Sequence, residues 1–504
     1  MKNNNSIVAI DLGSSSVTVA AANKTADGRL NIIDLVSKPL EGMSAGEITN
    51  IEQVTTAIRQ AVSELEEHTG LDVREAYTGI SGREIKCADS SYFVYVSGED
   101  HEICKEDVQK LHESMNSLQP PEGICILDRI PQKYVIDSRE ETMQPVGRFG
   151  QQLEATFNFI LGSRSSLDRM CKAFSRLGIA QRRIFTNAQA SAAATLTDDE
   201  KELGAAVIDI GADCTDICVW KDNIMRYAAV LPIGSGAINN DIRSIAIPER
   251  YIEKLKTTHG YATPACIPEE LKPQSIKFRG KNSQENKVSF VNLAKIIEAR
   301  MLDIVENVVE ELKDSGYGDK LGAGLVLTGG GSMLKGTDAL FRERTKYDVR
   351  LGSADVSLLS EQSSEAAADM RNVSVIGLLL LGMEDSGIVP TTETAQGEKP
   401  ANRKDGNETY SDGKKKPDAG NAVGSRSDET KPVEGDDSTF DGDSGNGSSG
   451  KDSGDNSGDP DSDSGNSDGK NKHGKDKKPR KGIRKWIQDI ITPIFDVVDD
   501  DEIQ

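Results

Sequence analysis

The stretch AAVIDIGADCTDICVWKDN, Ala205–Asn223, decides the fold. An apolar run ends at Asp209, Gly211 opens a turn of small residues, and a second apolar run follows. That pattern predicts strand, tight turn, strand. Near the start of the chain VAIDLGSSSVTVAAA, Val8–Ala22, repeats it, with Asp11, Gly13 and then Ser14, Ser15 and Ser16. One such turn is an ordinary hairpin. Two of them, in the same order, mark two related halves that face one ligand. Small turn residues let backbone N–H groups approach a phosphate closely, and serine hydroxyls add donors. Asp11 ends its strand where a carboxylate could hold a hydrated Mg²⁺, a hard cation that prefers oxygen and keeps its waters.

A third element sharpens the reading. GLVLTGGGSMLKG, Gly324–Gly336, predicts a strand, a triple glycine and a helix start. Gly329, Gly330 and Gly331 permit close backbone approach, and Ser332 is placed to cap the helix that follows. Strand-like runs at Ile7–Ile10, Ala205–Ile210 and Gly324–Leu327 alternate with helical spacing at Val54–Leu65 and Leu293–Leu312, as in an α/β domain. No GxxxxGK[ST] occurs and no GxGxxG follows a strand, so neither a P-loop nor a Rossmann site is expected.

The formal charge of −22 weighs against nucleic acid, which requires a basic footprint. Seven cysteines, an odd number without a CxxC pair, suit a reduced cytosolic protein. Cys214 and Cys218 are read as two buried thiols. The chain shows no secretory leader and no run of about 18 apolar residues that would span a bilayer.

From about Pro390 to Asp476 Gly, Ser, Asp, Asn and Lys take over and aliphatic residues almost vanish. Such a segment buries too little apolar surface to offset the entropy of ordering, and reads as a disordered linker. Apolar residues then return. Ile483, Trp486, Ile487, Ile490, Ile491, Ile494, Phe495 and Val498 form one stripe at helical spacing, behind a basic cluster that includes Arg484 and Lys485. With no core to cover, this reads as an amphipathic helix lying in a membrane interface. Pro493 would kink it, and Asp499–Glu502 would turn to water.

At these residues the chain resembles the actin, sugar-kinase and chaperone superfamily, and within it the FtsA family of bacterial division proteins. The likeness runs from about Ser6 to Gly387 with gaps, and resumes at the terminal helix. It is carried by TGISGREI (Thr78–Ile85), IPQKYVID with QPVG (Ile130–Asp137, Gln144–Gly147) and NAQASAAATLTDDEKELGAAVIDIG (Asn187–Gly211). LPIGSGAINNDI (Leu231–Ile242), ERYIEKLKTTHG (Glu249–Gly260) and IIEARMLDIVENV (Ile296–Val308) extend it. The resemblance implies a two-lobed actin-like fold, a duplicated ribonuclease-H-like α/β unit that binds ATP with Mg²⁺. Gly13–Ser16 and Gly211, Ala212, Asp213 and Cys214 would touch the phosphates. Asp11 and Asp209 would serve the Mg²⁺ through water, Glu253 and Lys254 would lie near ribose and base, and Gly329–Ser332 would hold the adenosine. Where the family has GGGT this chain has GADC, which sets an aspartate beside the phosphates and a thiol in place of a hydroxyl.

By the same resemblance residues 1–82 and 164–204 form the first-lobe core and 83–163 a family-specific small subdomain. Residues 205–387 form the second lobe, 388–478 the linker, 479–498 the membrane helix and 499–504 an acidic tail. The implied role is a non-enzymatic one, with at most weak ATPase activity. The chain would polymerise, bind the C-terminal peptide of FtsZ through Arg300, and hold the FtsZ ring on the cytoplasmic face of the inner membrane at the septum, where later division proteins join. A pilus-assembly adaptor or, further off, a small-molecule kinase of the same superfamily are the alternatives.

Overall fold

The computed structural model describes residues 6–386, apart from Glu99, Ala246 and 280–284. Gly387 and the expected linker, membrane helix and acidic tail lie outside the described residues.

The first lobe opens with an antiparallel meander, β1 (Ser6–Leu12), β2 (Ser16–Lys24) and β3 (Leu30–Pro39). A short hairpin, β4 (Met43–Ser44) and β5 (Glu47–Ile48), leads into α1 (Ile51–Thr69). Asn50 caps α1 by accepting from the N–H groups of Glu52 and Gln53, and Gly70 ends it in the left-handed conformation. Its buried face, including Val54, Ile58, Ala61 and Leu65, covers the sheet. Next, β6 (Glu75–Ile80) pairs parallel to β1.

The chain then leaves the lobe. β7 (Lys86–Tyr95), α2 (Lys105–Ser117), β8 (Ile124–Ile136), β9 (Glu140–Thr142) and β10 (Gln152–Ser163) make a separate sheet in the order β7-β10-β8-β9. Helix α2 packs Leu111 and Met115 against Tyr134, Leu153 and Phe157, which gives this unit a core of its own. After α3 (Arg164–Leu177), β11 (Ala180–Thr186) returns to pair parallel with β6. Helices α4 (Asn187–Thr195) and α5 (Asp198–Leu203) then lead into the second lobe.

There β12 (Ala205–Ile210), β13 (Thr215–Lys221) and β14 (Ile224–Leu231) form a second antiparallel meander. Helices α6 (Ala237–Ser244) and α7 (Glu249–His259), the hairpin β15 (Ser275–Arg279) and β16 (Glu285–Ser289), and the long α8 (Phe290–Asp314) follow. β17 (Gly324–Thr328) pairs parallel with β12; then come α9 (Thr337–Thr345) and β18 (Val349–Leu351), parallel to β17. The two lobe sheets therefore have one topology: β3-β2-β1-β6-β11 in the first, β14-β13-β12-β17-β18 in the second.

The end of the described chain departs from the sequence reading. Residues 205–387 were expected to form one lobe, but the segment after β18 crosses back. The N–H of Ser360 donates to the Leu30 carbonyl, and the N–H of Ile32 to the Ser363 hydroxyl. After α10 (Ser364–Ala368), α11 (Val373–Ser386) buries Val373, Val375, Ile376, Leu378 and Leu379 with Ile7, Ala9, Ala20 and Ala22 of the first sheet. The reason is that α11 is apolar on all sides. A helix without a polar face needs cover all round, and the first sheet together with α4 supplies it. Among the described residues no single helix is long and apolar enough to cross a membrane.

Candidate functional site between the two hairpins

The two hairpins are built alike. In β1–β2 the N–H of Gly13 donates to the Ser16 carbonyl at 3.0 Å, and Asp11 stands opposite Thr18. In β12–β13 the N–H of Gly211 donates to the Cys214 carbonyl at 2.9 Å, and Asp209 stands opposite Asp216. Each turn thus frames a short run of backbone with small side chains: Ser14 and Ser15 in one, Ala212 and Asp213 in the other.

Helices α4 and α11 tie both strand ends together. Asn187 Nδ2 donates to Asp11 Oδ1 at 3.1 Å. Asp209 Oδ2 accepts from Ser191 Oγ at 2.5 Å and from Ser374 Oγ at 3.0 Å. On the far side Ser81 Oγ, at the exit from β6, donates to Asp216 Oδ1 at 2.8 Å. Three carboxylates therefore share one region, Asp209 and Asp216 buried and Asp11 half-buried. Burial, and then the charge of Asp209, lift Asp11 from its ordinary value to about 7, against the pull of the Asn187 amide. Burial also raises Asp209, with the two serine hydroxyls opposing. Asp216 is pushed well up, by burial and then by Asp209, with the Ser81 hydroxyl opposing. Among the described residues no Lys, Arg or His is one of the groups that act on these three.

The third loop closes the region from the second lobe. Gly329 (φ +81°) leaves β17 in a left-handed conformation, and a Cβ there would land on Asp209 Oδ1. One at Gly331 would meet Ile210. These glycines are demanded by the closeness of β12. Ser332 does not cap the following helix, contrary to the sequence reading. Residues Gly330–Met333 form a single 3₁₀ turn, Ser332 Oγ donates back to the Thr328 carbonyl at 2.6 Å, and α9 starts later, behind Gly336.

The remaining predicted residues fall as follows. Ser14, Ser15 and Ser16 lie at the first hairpin turn, with hydroxyls that find no partner among the described residues. Cys214 and Cys218 are both buried free thiols, Cys214 in the turn and Cys218 on β13. Glu253, on α7, accepts from Asn239 Nδ2 at 2.7 Å and from Lys256 Nζ at 2.9 Å, while Lys254 is exposed. Arg300, on α8, is engaged within its own lobe. It grips Asp241 through Nε and Nη2 at 2.8 and 2.9 Å, and Asp303 through Nη1 at 3.0 Å. An acidic peptide arriving there would compete with both aspartates.

Several residues of this region went unread in the sequence: Asp216, Asn187, Ser191, Ser374, Thr328 and the buried Lys256. Thr328 pairs in register with Asp209, and its hydroxyl is buried without a hydrogen-bond partner among the described residues. Lys256 Nζ reaches the Ser235 carbonyl at 3.3 Å, beneath the loop whose Ser235 and Gly236 N–H groups donate to Gly211 and Ala212. The signal for Asp216 was present: an aspartate in the otherwise apolar strand TDICVWK.

Among the described residues no three His, Cys, Asp or Glu side chains converge as a ready metal cage. The donor set nonetheless fits a hydrated divalent cation. Carboxylates crowded together with no Lys or Arg beside them among the described residues are short of positive charge, and the buried Thr328 hydroxyl is without a hydrogen-bond partner. A cavity of about 370 Å³ lies elsewhere, beside Glu47, Arg83, Lys86 and Arg169 at the root of the small sheet.

A profile described as "Cell division protein FtsA" matches residues 206–377, and one described as "SHS2 domain inserted in FTSA" matches residues 82–161. The cell division protein FtsA of Bacillus subtilis is 33% identical over 70% of this chain and 80% of its own. That of Neisseria meningitidis is 32% identical over 77% of this chain and 92% of its own. The chain belongs to the FtsA family of cell division proteins. Among solved structures, a PilM-PilN type IV pilus biogenesis complex superposes with a TM-score of 0.50 at 15% identity, over 75% of this chain and 98% of that one. At that identity the likeness is one of fold. The architecture is the two-lobed actin-like one, each lobe carrying one copy of the five-stranded sheet. The SHS2 match coincides with the four-stranded unit of β7–β10 and α2.

Proposed function

We propose that this FtsA-family chain binds ATP with Mg²⁺ between its two hairpins, self-associates, and holds the FtsZ polymer on the cytoplasmic face of the membrane at the division site. The observation that carries the nucleotide part is the pair of equivalent turns, Gly13–Ser16 and Gly211–Cys214, set over the carboxylates of Asp11, Asp209 and Asp216, whose charged forms desolvation disfavours. Asp11 and Asp209 would hold the ion through its waters, and the turn N–H groups would face phosphate oxygens. The Gly329–Ser332 loop and Glu253 with Lys254 would flank the adenosine. The bound Mg²⁺ supplies positive charge between phosphates and carboxylates. ATP then acts as a ligand for one lobe arrangement and stabilises it by differential binding. Hydrolysis is not required for that role.

The membrane part rests on the sequence of the tail. Ile483, Trp486, Ile487, Ile490, Ile491, Ile494 and Phe495 supply an apolar stripe, and Arg484 and Lys485 belong to its basic flank. Each basic residue near anionic lipid adds about 1 kcal/mol. A single short helix binds reversibly, so firm attachment comes from many copies in one polymer. FtsZ would be met at Arg300, with its acidic peptide displacing Asp241 and Asp303.

Co-sedimentation with anionic liposomes tests this. The full-length protein is expected to pellet and to bring purified FtsZ with it. A version ending before Lys481 should pellet at least about tenfold less, having lost its apolar face and, with it, Lys481, Arg484 and Lys485 of the basic cluster. If both versions pellet alike the tail is not the anchor, and if FtsZ stays in solution it is not the partner.

A further inference from the structure

The second turn holds something the first does not. Ala212 and Asp213 stand where the first hairpin has two neutral serines. Asp213 reaches out of its own lobe, and its Oδ2 accepts the backbone N–H of Ala45 at 3.4 Å. Its Oδ1 lies over Gly236, where an added Cβ would be 3.4 Å away.

The receiving turn is set for this. Ala45 and Gly46 join β4 to β5 with φ of +48° and +78°, the pattern of a two-residue hairpin turn. Alanine in that region is strained by about 1 kcal/mol. The turn is also fixed from behind, because a Cβ on Gly46 would come within 2.8 Å of the Gly82 backbone. Beside Gly82 sits Ser81, whose hydroxyl donates to Asp216. Two neighbouring loops of the first lobe thus each give one hydrogen to one carboxylate of the second-lobe hairpin.

We propose that Asp213 is a built-in stand-in for a phosphate: its carboxylate takes a first-lobe backbone N–H and holds the cleft closed before any nucleotide arrives. A backbone N–H that faces a cleft between phosphate-type turns is the group a phosphate oxygen would take. Here the chain fills it with its own anion. A terminal phosphate arriving at the second turn meets that negative charge, so the diphosphate is held better relative to the triphosphate than it would be over a glycine. This second consequence rests on the proposed nucleotide site; the closure does not.

Hydrogen exchange of the ligand-free full-length protein reads the closure directly. Asp213→Gly should raise exchange across residues 42–48 by about fivefold or more, since the Ala45 amide loses its acceptor. Exchange across 205–210 should not change, which shows that the lobe remains folded. Asp213→Asn keeps an acceptor without the charge and should fall between the two. Fluorescence titration with labelled ATP and ADP in Mg²⁺ then reads the preference. Both variants should shift the affinity ratio toward ATP by about tenfold, the size of one relieved like-charge contact. Unchanged exchange over 42–48 in Asp213→Gly would overturn the proposal. If neither parent nor variants bind either nucleotide, the nucleotide-site reading fails while the exchange result still decides the closure.

Discussion

Asp11→Asn is expected to melt higher than the parent protein at neutral pH when no nucleotide is present, and to lose magnesium-dependent nucleotide binding. The sign follows from where the proton sits. Asp11 is raised from 3.8 to about 7 in the folded chain. Below pH 4 it is protonated both folded and unfolded and costs nothing. Between pH 4 and 7 the folded state keeps a proton that the unfolded state has released, so stability falls as pH rises. Above pH 7 the whole cost of a buried charge is present. Asp209 and Asp216 are raised as well, so all three act in the same direction. An asparagine at 11 fills the same space, carries no charge, and can turn its oxygen toward the Asn187 amide. Removing the cost at pH 8 should stabilise by about 1–3 kcal/mol, a rise of roughly 2–5 °C for a chain of this size. The gap should widen from pH 5.5 to 7 and then stay level. Calorimetry at pH 5.5, 7 and 8 measures it, and a gap that ignores pH would remove the carboxylate as its source. The same substitution deletes a charge that Mg²⁺ would need, and affinity for the Mg-nucleotide should fall by about a hundredfold. Stability and binding would then move in opposite directions, as they do where a site is kept poised for a ligand.

The hairpins were legible because their chemistry is local. An aspartate, a glycine and two or three small residues between apolar runs specify a tight turn whatever surrounds them. The duplicated topology followed from seeing that pattern twice. What could not be read was anything fixed by register or by return of the chain. Asp216 belongs to the site because it stands opposite Asp209 across the β12–β13 ladder, and Thr328 because it stands beside Asp209 across β12–β17. A one-residue slip would send either to the other face. Ser191 lies in an alanine-rich helix and Ser374 in an apolar one. Only the meeting of α4 and α11 brings both hydroxyls to a single carboxylate. Helix α11 went unread in the sequence, and its apolar run does not itself say which lobe would bury it. The unexpected 3₁₀ turn at Gly330–Met333 has a related cause: Ser332 bonds back to Thr328 in preference to capping forward.

That meeting of α4 and α11 sets up the largest stability effect expected in the folded lobes. Gly377→Ala should be severely destabilising, although local preference predicts the reverse. Inside a helix, alanine is favoured over glycine by up to about 1 kcal/mol. At Gly377, however, a Cβ would land on the carbonyl oxygen and carbon of Ala190, far inside contact distance. The obstacle is helix backbone, so no side-chain rotation relieves it, and the two helices must part. Parting them strips cover from Val373, Ile376, Leu379 and Ala194, which lie fully buried in the cluster they share. It also draws Ser191 and Ser374 off Asp209 and shifts Asn187, so the site loosens with the core. Overpacking against backbone together with lost burial should cost about 3–5 kcal/mol, and the helix preference offsets only a small part of it. Gly178→Ala calibrates the measurement. Gly178 ends α3 at φ +71° with no atom within 4 Å of an added Cβ, so it should lose only the price of a left-handed alanine, about 1 kcal/mol. Urea denaturation of both variants beside the parent makes the comparison. If Gly377→Ala proves as stable as Gly178→Ala or more so, the close crossing of α4 and α11 is not what joins the end of the described chain to the first lobe.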